Sequence, residues 1–589
     1  MGWMQELLVG GLAAGLLSAA MAPAPSRWVR QDLSRGYGML RLGDETTVAR
    51  FGAGAWGYVN GADFDGDGDI DLVVCSGVGG GARNTYAGLY VYTNVGTKHE
   101  GLLDTGQKLA PIEMLDTQHL TPYVGDADGD GRPDVWCSGW LCLNESADGR
   151  IRFAKPVKAP KPKWPEPGAC DWNRDGFVDE FVYDRWRLRL VDGRTGKAEN
   201  LRVGDSDLLE DLFIRPFVCD WDGDGDLDFL IGQESGHITF IENQDGVLMP
   251  ERHVLQRDPN VKSGCSSVPV ACDWFGDGGM DLVVGTAAGF VELYEHKDGA
   301  FLPPARLEAG GQTLRIMAGE LGSMQGAGEA RWGETNPWVA DWDLDGDLDL
   351  LLGCNTGEIL LCENVGTRTA PKLAAPTKLK VDWGDRKPVY PEGLRYTPEP
   401  GVLVVQWRSR PVVYDWNRDG LPDLISIDES GYLALYPRYR RADGTLGLRP
   451  AEHPFVGEDG KPLLWCTNPR PGRNGRMVFD IADWLGDGKP HIIRNAGTRD
   501  GRKNMDFTSC FVFLECLRVE PGPRAIYRWR GEMVPPRILG LQGHNSAPFV
   551  MDIDGDGRLD LISGCEDGNV YFFTRDFLDR VGGTQARAR

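Results

Sequence analysis

A nine-residue aspartate motif recurs along the chain, beginning at Asp63, Asp126, Asp171, Asp220, Asp273, Asp341, Asp415, Asp483 and Asp552. Its clearest copies read Asp63-Phe-Asp65-Gly-Asp67-Gly-Asp69-Ile-Asp71 and Asp220-Trp-Asp222-Gly-Asp224-Gly-Asp226-Leu-Asp228, each followed by a short apolar run. At 589 residues the chain is far longer than one ordinary domain of about 100–200 residues. A motif returning at this scale means one supersecondary unit repeated many times, and a repetitive architecture to hold the copies.

The spacing within the motif follows from the chemistry of a hard cation. Ca²⁺ takes six to eight oxygens at about 2.3–2.6 Å, and carboxylates at positions 1, 3 and 5 converge when the chain curls. Glycines at positions 4 and 6 permit the left-handed turns of that curl, and position 9 closes the cage at the mouth of the next strand. Five copies carry all four side-chain carboxylates: Asp63, Asp65, Asp67, Asp71; Asp126, Asp128, Asp130, Asp134; Asp220, Asp222, Asp224, Asp228; Asp341, Asp343, Asp345, Asp349; and Asp552, Asp554, Asp556, Asp560. Two more place asparagine third: Asp171, Asn173, Asp175, Asp179 and Asp415, Asn417, Asp419, Asp423. About seven Ca²⁺ sites are therefore expected. Phe275 at position 3 of one remaining copy, and Leu485 with His491 in the other, predict loops that hold without metal. An EF-hand would carry Glu at position 12, where this chain has Val74, Ile231 or Leu352. Seven Ca²⁺ would bring the formal charge of −24 to −10 (−24 + 14), so the acidity is largely a counterpart of calcium.

Around each motif an apolar strand enters (Pro216-Phe-Val-Cys), the loop turns, and a second strand leaves (Leu227-Asp-Phe-Leu-Ile-Gly232). A third follows, as in His237-Ile-Thr-Phe-Ile-Glu-Asn243 or Glu358-Ile-Leu-Leu-Cys-Glu-Asn364. With a divergent outer strand this is a four-stranded antiparallel unit. Such a unit cannot bury both faces alone, and radial stacking solves the problem. The expected fold is all-β: a single large β-propeller of seven to nine four-stranded blades over 45–577, with Ca²⁺ loops between first and second strands. The last blade is completed by N-terminal residues near Tyr37 to Phe51. Trp172, Trp221, Trp274, Trp342, Trp416 and Trp484, each just after a first Asp, are expected to pack between blades. These residues resemble the FG-GAP or VCBS repeat, a family of calcium-binding β-propellers found in integrin heads and in many secreted bacterial proteins. The resemblance covers roughly 45–577 and is specific for the repeat but not for an activity.

Residues 1–24, with an apolar run from Leu7 to Ala22 and an Ala20-x-Ala22 pattern, are expected to be a signal peptide or an N-terminal anchor. The departure is an n-region with Glu6 and no Lys or Arg. Residues 25–44 read as a linker and 578–589 as a polar tail. No later segment is apolar for the ~18 residues a span needs, and the protein is expected to be secreted, periplasmic or on the cell surface, as a monomer. The cysteines read as small buried strand residues, with no disulfide assigned, although Cys510 and Cys516 could pair in an oxidising compartment. Strong acidity argues against nucleic acid as a partner.

In a propeller the calcium loops mark one face, and the loops leading into each first strand open on the other. Those loops carry His119, Arg215, Ser266, Ser267, Glu334, Asn336, Arg408, Arg410, Arg473, Arg476 and His544-Asn545-Ser546, and the loops between second and third strands add Arg83, Asn84, Tyr86, Arg499, Arg502 and Lys503. Arg and His gathered on an acidic protein point to an anionic ligand. One reading is a binding module for an extracellular ligand, an acidic carbohydrate or a surface protein. Another is an enzyme: some polysaccharide lyases resemble this architecture and cleave uronate glycans by β-elimination. That reaction would use His544 or His119 as base and Arg408, Arg410 or Arg473 against the carboxylate. A third is a protein–protein adhesion module. No P-loop, dinucleotide fingerprint, G-x-S-x-G or H-E-x-x-H is present.

Overall fold

The computed structural model describes residues 33–581, apart from 44–45, 49–56, 77–87, 466–475, 496–510, 534–545 and shorter stretches that include 116–119. The expected leader lies outside the described residues. The chain is all-β, and among the described residues the single α-helix is Arg575–Val581, which occupies the start of the expected polar tail. No helix among them is long and apolar enough to cross a membrane.

All but one of the motifs sit between the first two strands of an antiparallel sheet; the Asp171 loop is entered through the isolated bridge Cys170–Asp179 and leads into the three-stranded sheet Glu180–Asp184, Arg187–Val191 and Ala198–Asn200. The Asp63 loop joins Gly57–Ala62 to Asp71–Ser76, and Gly88–Tyr92 and Gln107–Pro111 complete that sheet in sequence order. The same meander runs through Phe213–Cys219, Asp228–Gln233, Ile238–Ile241 and Arg252–His253, and again through Asn336–Ala340, Asp349–Gly353, Ile359–Cys362 and Thr377–Lys378. The last sheet, Ala547–Met551, Asp560–Gly564 and Val570–Phe573, takes its fourth strand from Tyr37–Met39. The sequence expectation that N-terminal residues complete the last repeat therefore holds. Its extension to Phe51 does not: Thr46–Val48 pairs with Leu255–Arg257 instead.

Rather than one body over 45–577, the chain divides into two compact units, one of 44–265 with 566–569 and one of the residues up to 43 with 266–565 and 570–589. In the second, the first strands form a cycle. Val268–Cys272 touches Asn336–Ala340, which touches Val412–Tyr414, then Phe479–Ala482, then Ala547–Met551, which returns to Val268–Cys272. The glycines ending three of the five second strands, Gly285, Gly353 and Gly564, explain how closely these sheets meet. A Cβ on Gly353 would lie 1.8 Å from the Ser409 carbonyl oxygen, and one on Gly564 would lie 2.0 Å from that of Ser267.

In the first unit, period-two alternation buries both faces of a sheet against different neighbours. Leu72 and Val74 pack with Phe217, Trp221 and Leu230, whereas Val73 and Cys75 pack with Val135, Cys137 and Cys142. Phe229 and Ile231, flanking Leu230, turn to Phe181 and Leu188. The tryptophans after the first Asp serve this packing: Trp221, Trp274, Trp342, Trp416 and Trp484 are buried, and Trp172 lies 5.2 Å from Phe181 and 5.0 Å from Phe229 between ring centroids. Cys516 is buried and free, while Cys510 lies outside the described residues.

Positions 4 and 6 of every motif have positive φ, including Arg174 (58°), Leu344 (68°) and Arg418 (61°), where glycine is absent. A left-handed backbone costs an L-residue about 1–2 kcal/mol, partly offset by the entropy glycine loses on folding. Arg418 is exposed. Arg418→Gly should therefore raise the unfolding free energy by up to about 1 kcal/mol, read as an increased denaturant midpoint at unchanged m-value.

Candidate metal centre

The ninth residue of the motif organises each loop. Its carboxylate accepts the N–H of position 2 through one oxygen and the N–H of a residue just past the third strand through the other. Asp71 accepts from Phe64 (2.9 Å) and Asn94 (2.8 Å), Asp228 from Trp221 (3.0 Å) and Asn243 (2.8 Å), and Asp349 from Trp342 (2.9 Å) and Asn364 (2.8 Å). Asp134, Asp179, Asp281, Asp423 and Asp560 make the same pair of bonds. Position 1 then curls the loop: Asp126 accepts from Gly129 (2.7 Å) and Gly131 (2.9 Å), and Asp552 from Gly555 (2.7 Å) and Gly557 (2.9 Å).

In the loops at Asp63, Asp126, Asp220 and Asp341, one oxygen from each of positions 1, 3 and 9 lies within 4.8 Å of the others. The donors are all hard carboxylate oxygens, and Oδ1 of Asp220 and of Asp341 is buried with no hydrogen-bond partner. Burial pushes the carboxyls of Asp71, Asp228, Asp349, Asp423 and Asp560 up to about 7 against the lowering effect of their N–H bonds, and the loop's other carboxylates add to the rise. This donor set fits a hard divalent cation. Asp65, Asp128, Asp222, Asp343 and Asp554 at position 3, and Asp67, Asp130, Asp224, Asp345 and Asp556 at position 5, stand in the same register, as do Asn173, Asp175, Asn417 and Asp419 in the variant loops.

The two loops expected to be metal-free carry positive side chains instead. Arg368 places NH2 3.3 Å from Asp273 and donates from NH1 to the Trp274 carbonyl (3.1 Å). In the other, Asp483, Asp487 and His491 also come within ligand distance of one another. His491 Nδ1 accepts the Cys516 N–H at 3.0 Å, which leaves the proton on Nε2, 2.9 Å from Asp487 Oδ1, while Lys489 Nζ is 2.7 Å from Oδ2. The nitrogen facing the carboxylates is thus a donor, occupying the place of a cation.

A side chain from the following repeat also grips the position-2 carbonyl: Asn144 on Phe64 (2.9 Å), Arg438 on Trp342 (3.0 Å) and Arg575 on Trp484 (2.5 Å). Arg438 and Arg575 lie over the indoles at 3.8 and 4.2 Å. Burial first, and then the Arg441 charge, bring Arg438 down to about 10. Sequence reasoning missed these residues. Their signal was register, since Arg438 and Arg575 stand where Asn243 and Asn364 stand, 15 residues after the ninth Asp.

Two of the arginines expected on an open face, Arg408 and Arg410, are inside. Arg410 is fully buried, donating to the Pro548 carbonyl (2.6 Å) and the Pro269 carbonyl (2.8 Å), with Asp480 as its nearby counter-charge. Arg408 is 3% exposed, paired with Glu334 (2.8 Å) and Glu329 (2.9 Å). Neither guanidinium faces a ligand in this arrangement: a charge entering the cyclic contact of first strands must find acceptors there, and strand-leading carbonyls and buried carboxylates supply them. Ser266, Ser267, Glu334 and Asn336 are likewise buried. His119, His544, Arg473, Arg83, Asn84, Tyr86, Arg499, Arg502 and Lys503 lie outside the described residues.

Arg410→Ala should lower the unfolding free energy by about 3–5 kcal/mol, because Asp480 and two carbonyls lose their positive partner; an unchanged melting temperature would overturn this structural role. A second expectation concerns pH in chelated protein. The ninth-position carboxyls bind a proton more tightly folded than unfolded, so the fold loses stability as pH rises from about 4 through 7. Saturating Ca²⁺ should remove that downward slope of melting temperature with pH, since the cation stabilises the ionised form.

No curated protein matches the chain. Among solved structures, similarity is found to a lectin from Agrocybe aegerita described as recognising non-reducing terminal N-acetylglucosamine (18% identity, 68% of this chain and 80% of that one, TM-score 0.19). Similarity is also found to AofleA from Arthrobotrys oligospora (12% identity, 58% and 77% covered, TM-score 0.26). Likeness at these TM-scores carries no argument about fold or ligand. A family profile described as FG-GAP-like repeat matches residues 63–137, which hold the first two aspartate loops and the strands from Asp71–Ser76 to Asp134–Cys137. Residues 63–137 are an FG-GAP-like repeat segment.

Proposed function

We propose that this chain is an exported, calcium-stabilised β-propeller protein that binds an extracellular acidic carbohydrate. The observation that carries the calcium reading is the buried ninth-position carboxylate: it is held by two N–H bonds next to the carboxylates of positions 1 and 3, an arrangement that gathers negative charge, as at Asp63, Asp65 and Asp71, which make no ion pair among the described residues. Seven loops hold Ca²⁺. The loops at Asp273 and Asp483 are held by Arg368 and by His491 with Lys489. The cyclic contact of five first strands supports a five-bladed ring in the second unit, and the four remaining repeats make a four-bladed ring of the first. This differs from a single ring of seven to nine blades.

The binding reading is preferred to uronate elimination because two of the three arginines that reaction would use, Arg408 and Arg410, are committed to internal carboxylates and carbonyls. The carbohydrate reading rests on Lys378, Lys380, Arg438, Arg440 and Arg441, which line one pocket on a scaffold of net charge −24, where clustered positive charge needs a reason.

Calorimetric titration of chelated protein should give about seven Ca²⁺ per chain. Each site stabilises the fold by about 2.7 kcal/mol at a hundredfold excess over its Kd. Asp224→Ala should remove one equivalent, and a melting temperature indifferent to chelation would refute structural calcium. Retention on immobilised uronate-containing polysaccharides, with neutral glucans passing through, is expected for the ligand; equal elution from both would overturn it.

A further inference from the structure

A cavity of about 510 Å³ lies between the sheet Asn336–Lys378 and the hairpin formed by Arg438–Arg440 and Leu446–Leu448. Its lining includes Lys378, Lys380, Arg438, Arg440 and Arg441, and the one carboxylate among the lining residues is Asp343. Such a balance is unexpected on a chain with 87 acidic and 63 basic residues. Two of the cations are already engaged: Lys378 with Glu399 (2.9 Å) and Glu358 (3.2 Å), and Arg441 with Asp382 (2.9 Å) and the Leu446 carbonyl (2.7 Å).

The other three are not neutralised in this way. The side chains of Lys380 and Arg440 are exposed and make no hydrogen bond or ion pair with the described residues, Lys380 adding only its field to that of Lys378 at Glu399. Arg438 is 6% exposed; its NH2 is spent on the Trp342 carbonyl, and its Nε–H is buried without an acceptor. A buried guanidinium donor is unfavourable unless something accepts from it. Position 3 of the Asp341 loop, Asp343, is a candidate Ca²⁺ ligand, so calcium there would withdraw the one negative side chain that opposes an anion. Gly444, where a Cβ would meet nothing within 4 Å, leaves room on the hairpin side.

We infer that this pocket binds an oxyanion group, a carboxylate or sulfate, held by Arg438, Arg440 and Lys380 beside the Trp342 indole. The site lies beside a calcium loop rather than on the opposite face, and it goes beyond the carbohydrate reading because the anion can be free or carried by an acidic sugar. Arginine suits this task through its planar fork of donors, and the pocket volume admits about one or two sugar rings.

The test is calorimetric titration of the full chain in calcium-containing buffer with trigalacturonate, sodium sulfate and neutral maltotriose. Wild type should bind at least one of the two anions and not maltotriose. Lys380→Ala/Arg440→Ala should weaken that binding by about tenfold or more at an unchanged melting temperature, and Arg440→Lys should retain most of it. Trigalacturonate binding that the double variant leaves intact would overturn the pocket but spare the acidic-carbohydrate reading. Sulfate binding lost in the variant, with no trigalacturonate binding, would uphold the pocket and sink that reading. Binding of neither anion, or maltotriose bound as well as trigalacturonate, would overturn the pocket.

Discussion

Each repeat depends on one buried carboxylate with two backbone donors. The ninth residue of the motif ties the start of its own loop to the chain beyond the third strand, so that loop, second strand and third strand are held at one point. In the Asp483 repeat histidine does this work: His491 Nδ1 accepts the Cys516 N–H as an aspartate oxygen would. The requirement at this position is an acceptor aimed at the third-strand exit, and a metal ligand is a second use of the same group. That ordering explains how a loop can lose its metal chemistry and keep its shape.

The second use follows from electrostatics. Burying a carboxylate next to two or three others is unfavourable unless a positive charge enters the cluster. The chain meets this in two ways. Loops with oxygen donors at positions 1, 3, 5 and 9 present a site for a divalent ion, whereas loops with Phe275 or Leu485 at position 3 bring Arg368, or Lys489 and His491, to the carboxylates. A side-chain cation is covalently fixed and always present. An ion depends on its concentration in the surroundings, so on the proposed calcium reading the two kinds of loop would set which parts of the fold respond to it.

Much of this was legible in the sequence because the motif is local. Positions 4 and 6 have positive φ in all copies, and the strands before and after the loop fall where the apolar runs place them. Tyr37–Met39 was recognisable as the missing outer strand because the last repeat lacks one after Phe573. The division into two units was not legible. Every sheet has the same internal pattern, and which first strand meets which depends on close approaches such as Gly353 to Ser409 and Gly564 to Ser267, where the glycines look alike in sequence.

The arginines show the same limit at the level of a site. Arg408 and Arg410, before a proline and a first strand, read as loop cations open to a ligand, yet their guanidiniums turn inward to Glu329, Glu334 and the carbonyls of Pro269 and Pro548. Sequence gives the residue but not the side on which its acceptors lie. Arg438 lies in the strand Arg438–Arg440, yet its buried Nε–H and the neighbouring Arg440 and Lys380 give the basic cavity its character. The register that places Asn243 and Asn364 at the third-strand exit puts Arg438 there too; where Asn243 donates to the Leu227 carbonyl of its own loop, the longer Arg438 reaches the Trp342 carbonyl of the preceding loop and adds charge beside it. A repeat can thus acquire an anion-binding wall at a position whose first duty is structural.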